Sequence, residues 1–283
     1  MRVARSRELV AQGRPVAVVA RVARVSRQAI YKKPKRKPKR ERRPLSELDR
    51  KVIKVAGENP TDGTRMIAAI TGRETGVAIN RKRVQRLMRE HRLLQPSRSE
   101  GRRKRPGFFQ VTRPDELWHM DMTSVWVAEH GWCYMNTIID CCTRQITGWA
   151  LDVRCRKEEA IAVIDQAVAD RGITPGVLTL GTDNGTAYTS RLFRARLGDH
   201  GVTHRRGGYR DPESQAFIES WFSKLKLRCV WREEFETLEQ ARQVLGEYID
   251  SYHDRPHSGL NYRTPAEVAA TWNDYNDLQK QAA

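Results

Sequence analysis

The sequence predicts a mixed α/β domain preceded by a strongly basic, all-α N-terminal region. Three observations predict it. Three strand-like segments follow one another across short turns between residues 118 and 152, and helix and strand then alternate as far as residue 230. Before residue 95, short segments with helix caps succeed one another. The charge divides in the same way. Residues 1–110 hold 32 Lys/Arg against 9 Asp/Glu, residues 111–283 hold 20 against 25, and the net charge is +18. A basic arm on a mildly acidic body fits a polyanion partner, and charge alone does not separate DNA from RNA.

Taken in order, residues 15–33 read as two short helices. The second is opened by Ser26 as N-cap and presents Arg27, Gln28 and Lys32, side chains able to reach phosphates or base edges. Residues 32–43 are nearly all basic with interleaved proline, so residues 1–45 are assigned to a helix-turn-helix-like segment with a basic linker. Residues 46–95 are assigned to a second such unit. One helix runs from Ser46 to about Glu58, another covers 64–72, and a third is capped by Asn80 and continues to about His91. In the third, Val84, Leu87 and Met88 share one face, while Arg81, Lys82, Arg83, Arg86 and Arg89 occupy most of the rest. Three short helices ending in a basic one match the form that offers its last helix to the major groove of DNA.

Residues 96–112 are assigned to a basic linker, and residues 113–235 to a catalytic core. Trp118–Val127, Trp132–Asp140 and Gln145–Asp152 alternate as an antiparallel meander. An amphipathic helix over 157–170, a strand Val177–Thr182, a helix Thr189–His200, a strand Val202–Arg206 and a long helix Ser214–Val230 follow. That is the element order of a ribonuclease-H-like domain. Residues 236–283 are assigned to a C-terminal helical extension. Trp118, Trp126, Trp132 and Trp149 are expected to fill the core between sheet and helices, with a base-stacking platform as the alternative.

Several classes are disfavoured. No apolar run approaches the roughly 18 residues of a membrane span, and Arg2, Arg5, Arg7, Glu8, Arg14 and Arg21 break up any signal-peptide core, so a cytoplasmic, nucleoid-associated protein is expected. Five cysteines without a C-x-x-C pair argue against a disulfide framework or a zinc ribbon. His253 and His257 stand at a metal-binding spacing, but Pro256 between them disrupts the helix that spacing needs.

Three acidic residues fall where these elements would bring them together. Asp121 lies within the first strand, Asp183 ends the fourth before an Asn184-Gly185 turn, and Glu219 sits on the last long helix. On that helix Phe217, Trp221 and Leu225 can pack inward, leaving Glu219, Ser223 and Lys226 as a polar stripe. Hard divalent cations prefer carboxylate oxygens, and two such ions can serve both the attacking and the leaving oxygen of a phosphodiester displacement. Asp140, in IIDCCTR, is a rival for the first position, although a turn aspartate is its simpler account.

The segments W-x-x-D-x-T, T-D-N-G-x-x-Y-T-S and F-I-E-S-W-F-S-K-L-K resemble the three signature blocks of the DDE transposase and retroviral-integrase superfamily, with 35 residues between Asp183 and Glu219. The segment from Tyr252 to Glu267, the SRQAIYK element and the basic helix NRKRVQRLMRE resemble the insertion-sequence-3 family. The resemblance implies a ribonuclease-H-like, integrase-type catalytic domain in which Asp121, Asp183 and Glu219 are catalytic residues and metal ligands. It implies two Mg²⁺ ions, with Mn²⁺ able to substitute, and strand transfer into target DNA. It also implies a homo-oligomer holding paired terminal repeats of double-stranded DNA, and an upstream-frame partner or fusion product. Lys226, Arg27, Gln28, Arg81, Arg83 and Arg86 are the expected DNA contacts. The chain departs from many relatives at Ser214 and Gln215, where Asp-Asn is usual, with Asp211 and Glu213 nearby. A nuclease with the same metal chemistry and a non-catalytic repressor are the competing functions. A simple nuclease needs neither the basic front end nor the matching tail, and a decayed element would be expected to have lost a triad residue.

Overall fold

Leu117–Val127 (β1), Gly131–Asp140 (β2) and Ile146–Asp152 (β3) form the expected antiparallel meander. Thr179–Thr182 (β4) and Thr203–Arg206 (β5) extend it in parallel beyond β1, so the sheet runs β3-β2-β1-β4-β5. The computed structural model describes residues 2–32, 44–95, 111–207 and 215–272. Most of both basic linkers, together with Asp211, Glu213 and Ser214, lies outside the described residues.

The helices are Arg2–Ala11 (α1), Val16–Ala23 (α2), Arg27–Tyr31 (α3), Glu47–Glu58 (α4), Thr64–Thr75 (α5), Arg81–Glu90 (α6), Lys157–Arg171 (α7), Thr186–Thr189 (α8), Arg191–Asp199 (α9), Ala216–Arg228 (α10) and Leu238–His253 (α11). A further helix covers 265–272 (α12). Residues Met1–Ser46 and Glu47–Ala283 are separate compact units.

In the first unit Val19, Ala20 and Ile30 are buried, with Leu9, Val10, Val16 and Val25 against them. The Ser26 hydroxyl accepts from Ala29 N at 3.1 Å and starts α3 as expected. Helix α1 goes beyond the sequence reading. It is pinned by Arg7, whose guanidinium donates to the carbonyls of Ala29 and Ile30 at 3.0 and 2.9 Å and to that of Lys32.

In the second unit α4, α5 and α6 close over Val52, Val55, Ala56, Ile67, Val84, Leu87 and Met88. The Asn80 side chain accepts from Lys82 N at 2.8 Å and caps α6. The loop between α4 and α5 docks on the body that carries the sheet. Asp62, only 3% exposed, pairs with Arg228 and Arg255, and Arg255 also donates to Asn59 at 2.7 Å. A second tie joins Arg73 of α5 to Glu267 of α12.

Alternation along the strands divides the core in two. Trp118, Met120, Ile138 and Leu180 face α7, α8 and α9, where Ile164, Ala167, Tyr188 and Phe193 are buried. Val125, Val127, Cys133, Met135 and Ile139 face α10 and α11, where Ile218, Trp221, Phe222, Leu225, Leu245 and Ile249 are buried. Helix α11 thus shares its core with α10 and the meander.

Three expectations are corrected. The helix expected from Thr189 starts at Arg191, because Ser190 adopts extended backbone and caps α9 by accepting from Phe193 N at 3.2 Å, and a separate short helix, α8, ends at Thr189. Phe217 is only half-buried, while Ile218 and Phe222 join Trp221 and Leu225 inward. Trp118 fills the core and Trp149 packs against it, but Trp126 and Trp132 are 55% and 57% exposed, edge to face at 5.3 Å beside the β1–β2 turn. Both lie at the hairpin end on the strand face opposite Val125 and Val127, which are buried against α10 and α11.

Candidate active site

The sheet register brings two of the three acidic residues together. His119 pairs with Gly181 as the last pair of the parallel β1–β4 edge, and Asp121 and Asp183 each lie two residues beyond it, near enough for the Asp183 charge to act on Asp121. Both occupy the strand face opposite Trp118, Met120 and Leu180, which is the face that α10 covers. Gly181 permits this close edge, since a Cβ there would stand 2.8 Å from the His119 ring. His119 stacks on Phe217 of α10 with ring centres 5.9 Å apart, and the Arg144 guanidinium lies 3.3 Å from the centre of the Phe217 ring in a cation–π contact. This stack anchors the start of α10, and Glu219 lies in its first turn.

The local bonds hold each carboxylate in a defined pose. Asp121 Oδ1 accepts from Met122 N at 2.7 Å, and Asp183 Oδ1 accepts from Gly185 N at 2.8 Å. A Cβ at Gly185 would stand 2.9 Å from that same Asp183 oxygen, so a side chain there would push the carboxylate out of this pose. Asn184 ties the turn to β5 by donating to Gly207 O at 3.0 Å.

Asp183 and Glu219 are exposed, whereas Asp121 is half-buried. Burial pushes the Asp121 carboxyl up to about 6, and the negative charges of Asp183 and Glu219 push the same way, against the Met122 amide and Lys226. All three carboxylates and Lys226 therefore act on one small region. Asp183 and Asp121 also raise Tyr188, after burial, and the Tyr188 hydroxyl donates to Asn136 at 3.3 Å beneath the site. Among the described residues, no three His, Cys, Asp or Glu side chains form a ready-made metal cage. The donor set nevertheless suits a hard cation. It consists of carboxylate oxygens, two of them open to solvent, and Asp121 is penalised when charged until a positive charge arrives.

The other expected residues separate by what they touch. Lys226 is half-buried near Asp121. Arg27 and Gln28 are exposed at the start of α3, and Arg81 and Arg86 are exposed on α6. Arg83 instead pairs with Asp49 at 2.7 Å, joining α6 to α4. Asp140 is fully buried and accepts from the amides of Asp115, Cys142 and Thr143 and from the Thr143 hydroxyl, which makes it the organiser of its turn. His253 accepts from Ile146 N at 3.0 Å, whereas His257 faces Lys224 at 3.2 Å. The two histidines therefore serve different contacts. Gln215 was visible in the sequence as a departure, but its burial beside the start of α10 was not.

Residues 111–212 match the integrase core domain, residues 200–265 match a second integrase core domain model, and residues 44–103 match an HTH-like domain. A mixed five-stranded sheet with acidic residues on its α10 face, behind an HTH-like unit, defines a polynucleotidyl transferase of the integrase-core class. The chain is 29% identical over 208 residues to the transposase for insertion sequence element IS904 of Lactococcus lactis, covering 68% of this chain and 81% of that one. It is 30% identical over 231 residues to an uncharacterized 31.7 kDa protein of insertion element IS407 from Burkholderia multivorans, covering 79% and 80%. With the InsD transposase of the IS2 elements of Escherichia coli it shares 27% identity over 280 residues, 93% of each chain. The chain belongs to this family of integrase-core insertion-element transposases, with the insertion-sequence-3 character its motifs carry.

Proposed function

We propose that this chain moves an insertion element by metal-dependent cleavage and strand transfer of DNA, with Asp121, Asp183 and Glu219 as its catalytic carboxylates. The observation that carries the reading is the shared face. Asp121 and Asp183 each follow the last β1–β4 pair by two residues, and the charges of Asp183 and, from α10, Glu219 both reach Asp121. The three residues would hold two Mg²⁺ ions, or Mn²⁺ in their place. Bound there, the metal supplies charge neutralisation for the attacking 3′-hydroxyl and the leaving oxygen of an in-line displacement.

The chain's own groups do the rest. Asp121 is fixed by the Met122 amide and Asp183 by the Gly185 amide, so neither carboxylate must be ordered when DNA arrives. Lys226, on the same polar stripe as Glu219, would meet a phosphate beside the carboxylates. The HTH-like unit and its exposed Arg81 and Arg86 would engage duplex DNA, as would Arg27 and Gln28 of α3. The working form in this reading is a homo-oligomer on paired element ends, with an upstream-frame partner or fusion, in the bacterial cytoplasm at the nucleoid. No helix among the described residues is long and apolar enough to cross a membrane.

A strand-transfer assay with Mg²⁺ and labelled DNA carrying the flanking element's ends tests the proposal, comparing wild type with Glu219→Gln. Joined products from wild type alone support it. Nicking of any duplex or hybrid without joining transfers the chain to the nuclease reading. If both proteins are silent, the same comparison is made with the upstream-frame fusion, and silence there removes the proposal.

A further inference from the structure

A cleft of about 540 Å³ opens where the HTH-like unit meets the catalytic helix, and its charge is unbalanced. Arg65 and Arg81 line it from α5 and α6, and Lys224 and Arg228 line it from α10. Asp62 is the one acidic residue in its described lining, and that carboxylate is already taken by Arg228 and by Arg255 behind it. Lys224 feels the surplus. Burial first, then the charge of Arg228 and more weakly those of Arg144 and Arg255, lower its ammonium to about 8, against the opposing pull of Asp62. Its neighbour His257 is held to about 3 by burial and by Lys224, Arg144 and Arg228, so it adds no charge at neutral pH. Gly63 and Thr64 also line the cleft, at an α5 N-terminus with no side-chain cap, where the helix dipole adds to the positive field. On the α10 side the wall includes Ser223, one turn beyond Glu219.

We propose that this cleft is a phosphate-binding site for the DNA backbone, gripping the strand between the HTH-like unit and the catalytic carboxylates. A strand held here continues along α10 past Ser223 to Glu219 and Lys226, so one helix carries both the grip and the chemistry. The buried Asp62–Arg228–Arg255 group fixes the two walls relative to each other, making the spacing from grip to carboxylates a property of the fold. The path assigned to the strand rests on the catalytic reading of Glu219. The anion site itself rests on the cleft.

The test measures binding of the full-length chain to a fluorescently labelled duplex across a series of salt concentrations. The variants are Arg65→Gln and Lys224→Gln, with Lys54→Gln on exposed α4 as control. Each phosphate that a variant no longer neutralises should flatten the log–log salt slope by about 0.9. The expected result is that flattening in both cleft variants and none in the control. Arg65 is exposed, so its variant carries the test even if Lys224→Gln unfolds. Unchanged slopes in folded variants overturn the proposal.

A parallel arm titrates inorganic phosphate at constant ionic strength and follows the thermal midpoint. A midpoint rise in wild type that both variants lose, together with unchanged duplex slopes, would make the cleft a free-anion site and overturn the DNA path. Strand transfer is scored separately. Flattened slopes with an inactive wild type uphold the cleft and remove the catalytic reading, whereas unchanged slopes with an active wild type do the reverse.

Discussion

Burial and charge both act on the Asp121 carboxyl, and its titration has a consequence for stability. Its carboxyl is raised to about 6 in the folded chain from an ordinary 3.8, by burial first and then by Asp183 and Glu219. Between those values the folded chain holds a proton that the unfolded chain has released, so stability falls as pH rises through the window, and the penalty is complete by pH 7. Each pH unit of that window would carry about 1.4 kcal/mol for a fully buried carboxyl, and solvent around this half-buried one reduces the whole to about 1–2 kcal/mol. Metal-free Asp121→Asn should therefore unfold at a higher temperature than wild type at pH 7, and the two should converge near pH 4. Mg²⁺ should raise the wild-type midpoint and leave that of the variant unmoved; equal midpoints at pH 7 would remove the electrostatic account. Asp183→Asn belongs at the same scale. It removes a carboxylate charge without touching Arg27, Arg81, Arg86 or the cleft, so gel-shift affinity for duplex DNA should be kept or strengthened while cleavage and joining are lost. Normal joining by that variant would exclude Asp183 from the chemistry.

At the scale of elements, α11 carries more than its sequence position implies. Leu245, fully buried, shares one core cluster with Trp221 and Leu225 of α10, and Tyr252 meets Trp221 edge to face at 6.1 Å, so α11 backs the helix that bears Glu219. Leu245→Ala should cost about 2–5 kcal/mol in chemical denaturation. It should also lower strand transfer in conditions where the protein remains folded, because α10 loses its backing. A loss below about 1 kcal/mol would mean that α11 is not part of that support.

The elements also show what was legible and why. Period-two alternation in a half-buried meander, the caps Ser26 and Asn80, and the Asn184-Gly185 turn each announce themselves locally, so the strands and the HTH-like helices could be read directly. Helix α1 could not, because Ser6 and Arg7 occupy inward positions that an apolar pattern would fill, and Arg7 is held there by carbonyls 22–25 residues away. The Ser190 break hid because a capping serine inside an otherwise helical run looks like any solvated residue. Trp126 and Trp132 misled because composition does not say which face of a hairpin end is covered: Val125 and Val127, on the other face, are the buried ones. Of the site, the three acids and Lys226 could be named from motifs and spacing, while the Asp62–Arg228–Arg255 group joins residues up to 193 apart and has no sequence signature.

For the whole molecule, the governing quantity is the distribution of charge between units. Residues 1–46 hold 16 Lys/Arg against 2 Asp/Glu, and residues 47–110 hold another 16 against 7. Binding driven by phosphate neutralisation should weaken linearly with the logarithm of salt, by about 0.9 per phosphate neutralised. The boundary after Ser46 lets the two contributions be separated, since the first unit closes over its own core of Val19, Ala20 and Ile30. Deleting residues 1–46 should flatten the slope by part of its value, and deleting residues 1–110 should remove most of it, because residues 111–283 carry more acid than base. Fluorescence anisotropy with one labelled duplex across a salt series measures all three proteins alike. A slope lost entirely at the first deletion would relieve α6 and the cleft of any DNA contact, and a slope unmoved by it would confine recognition to the HTH-like unit that stands against the catalytic helix.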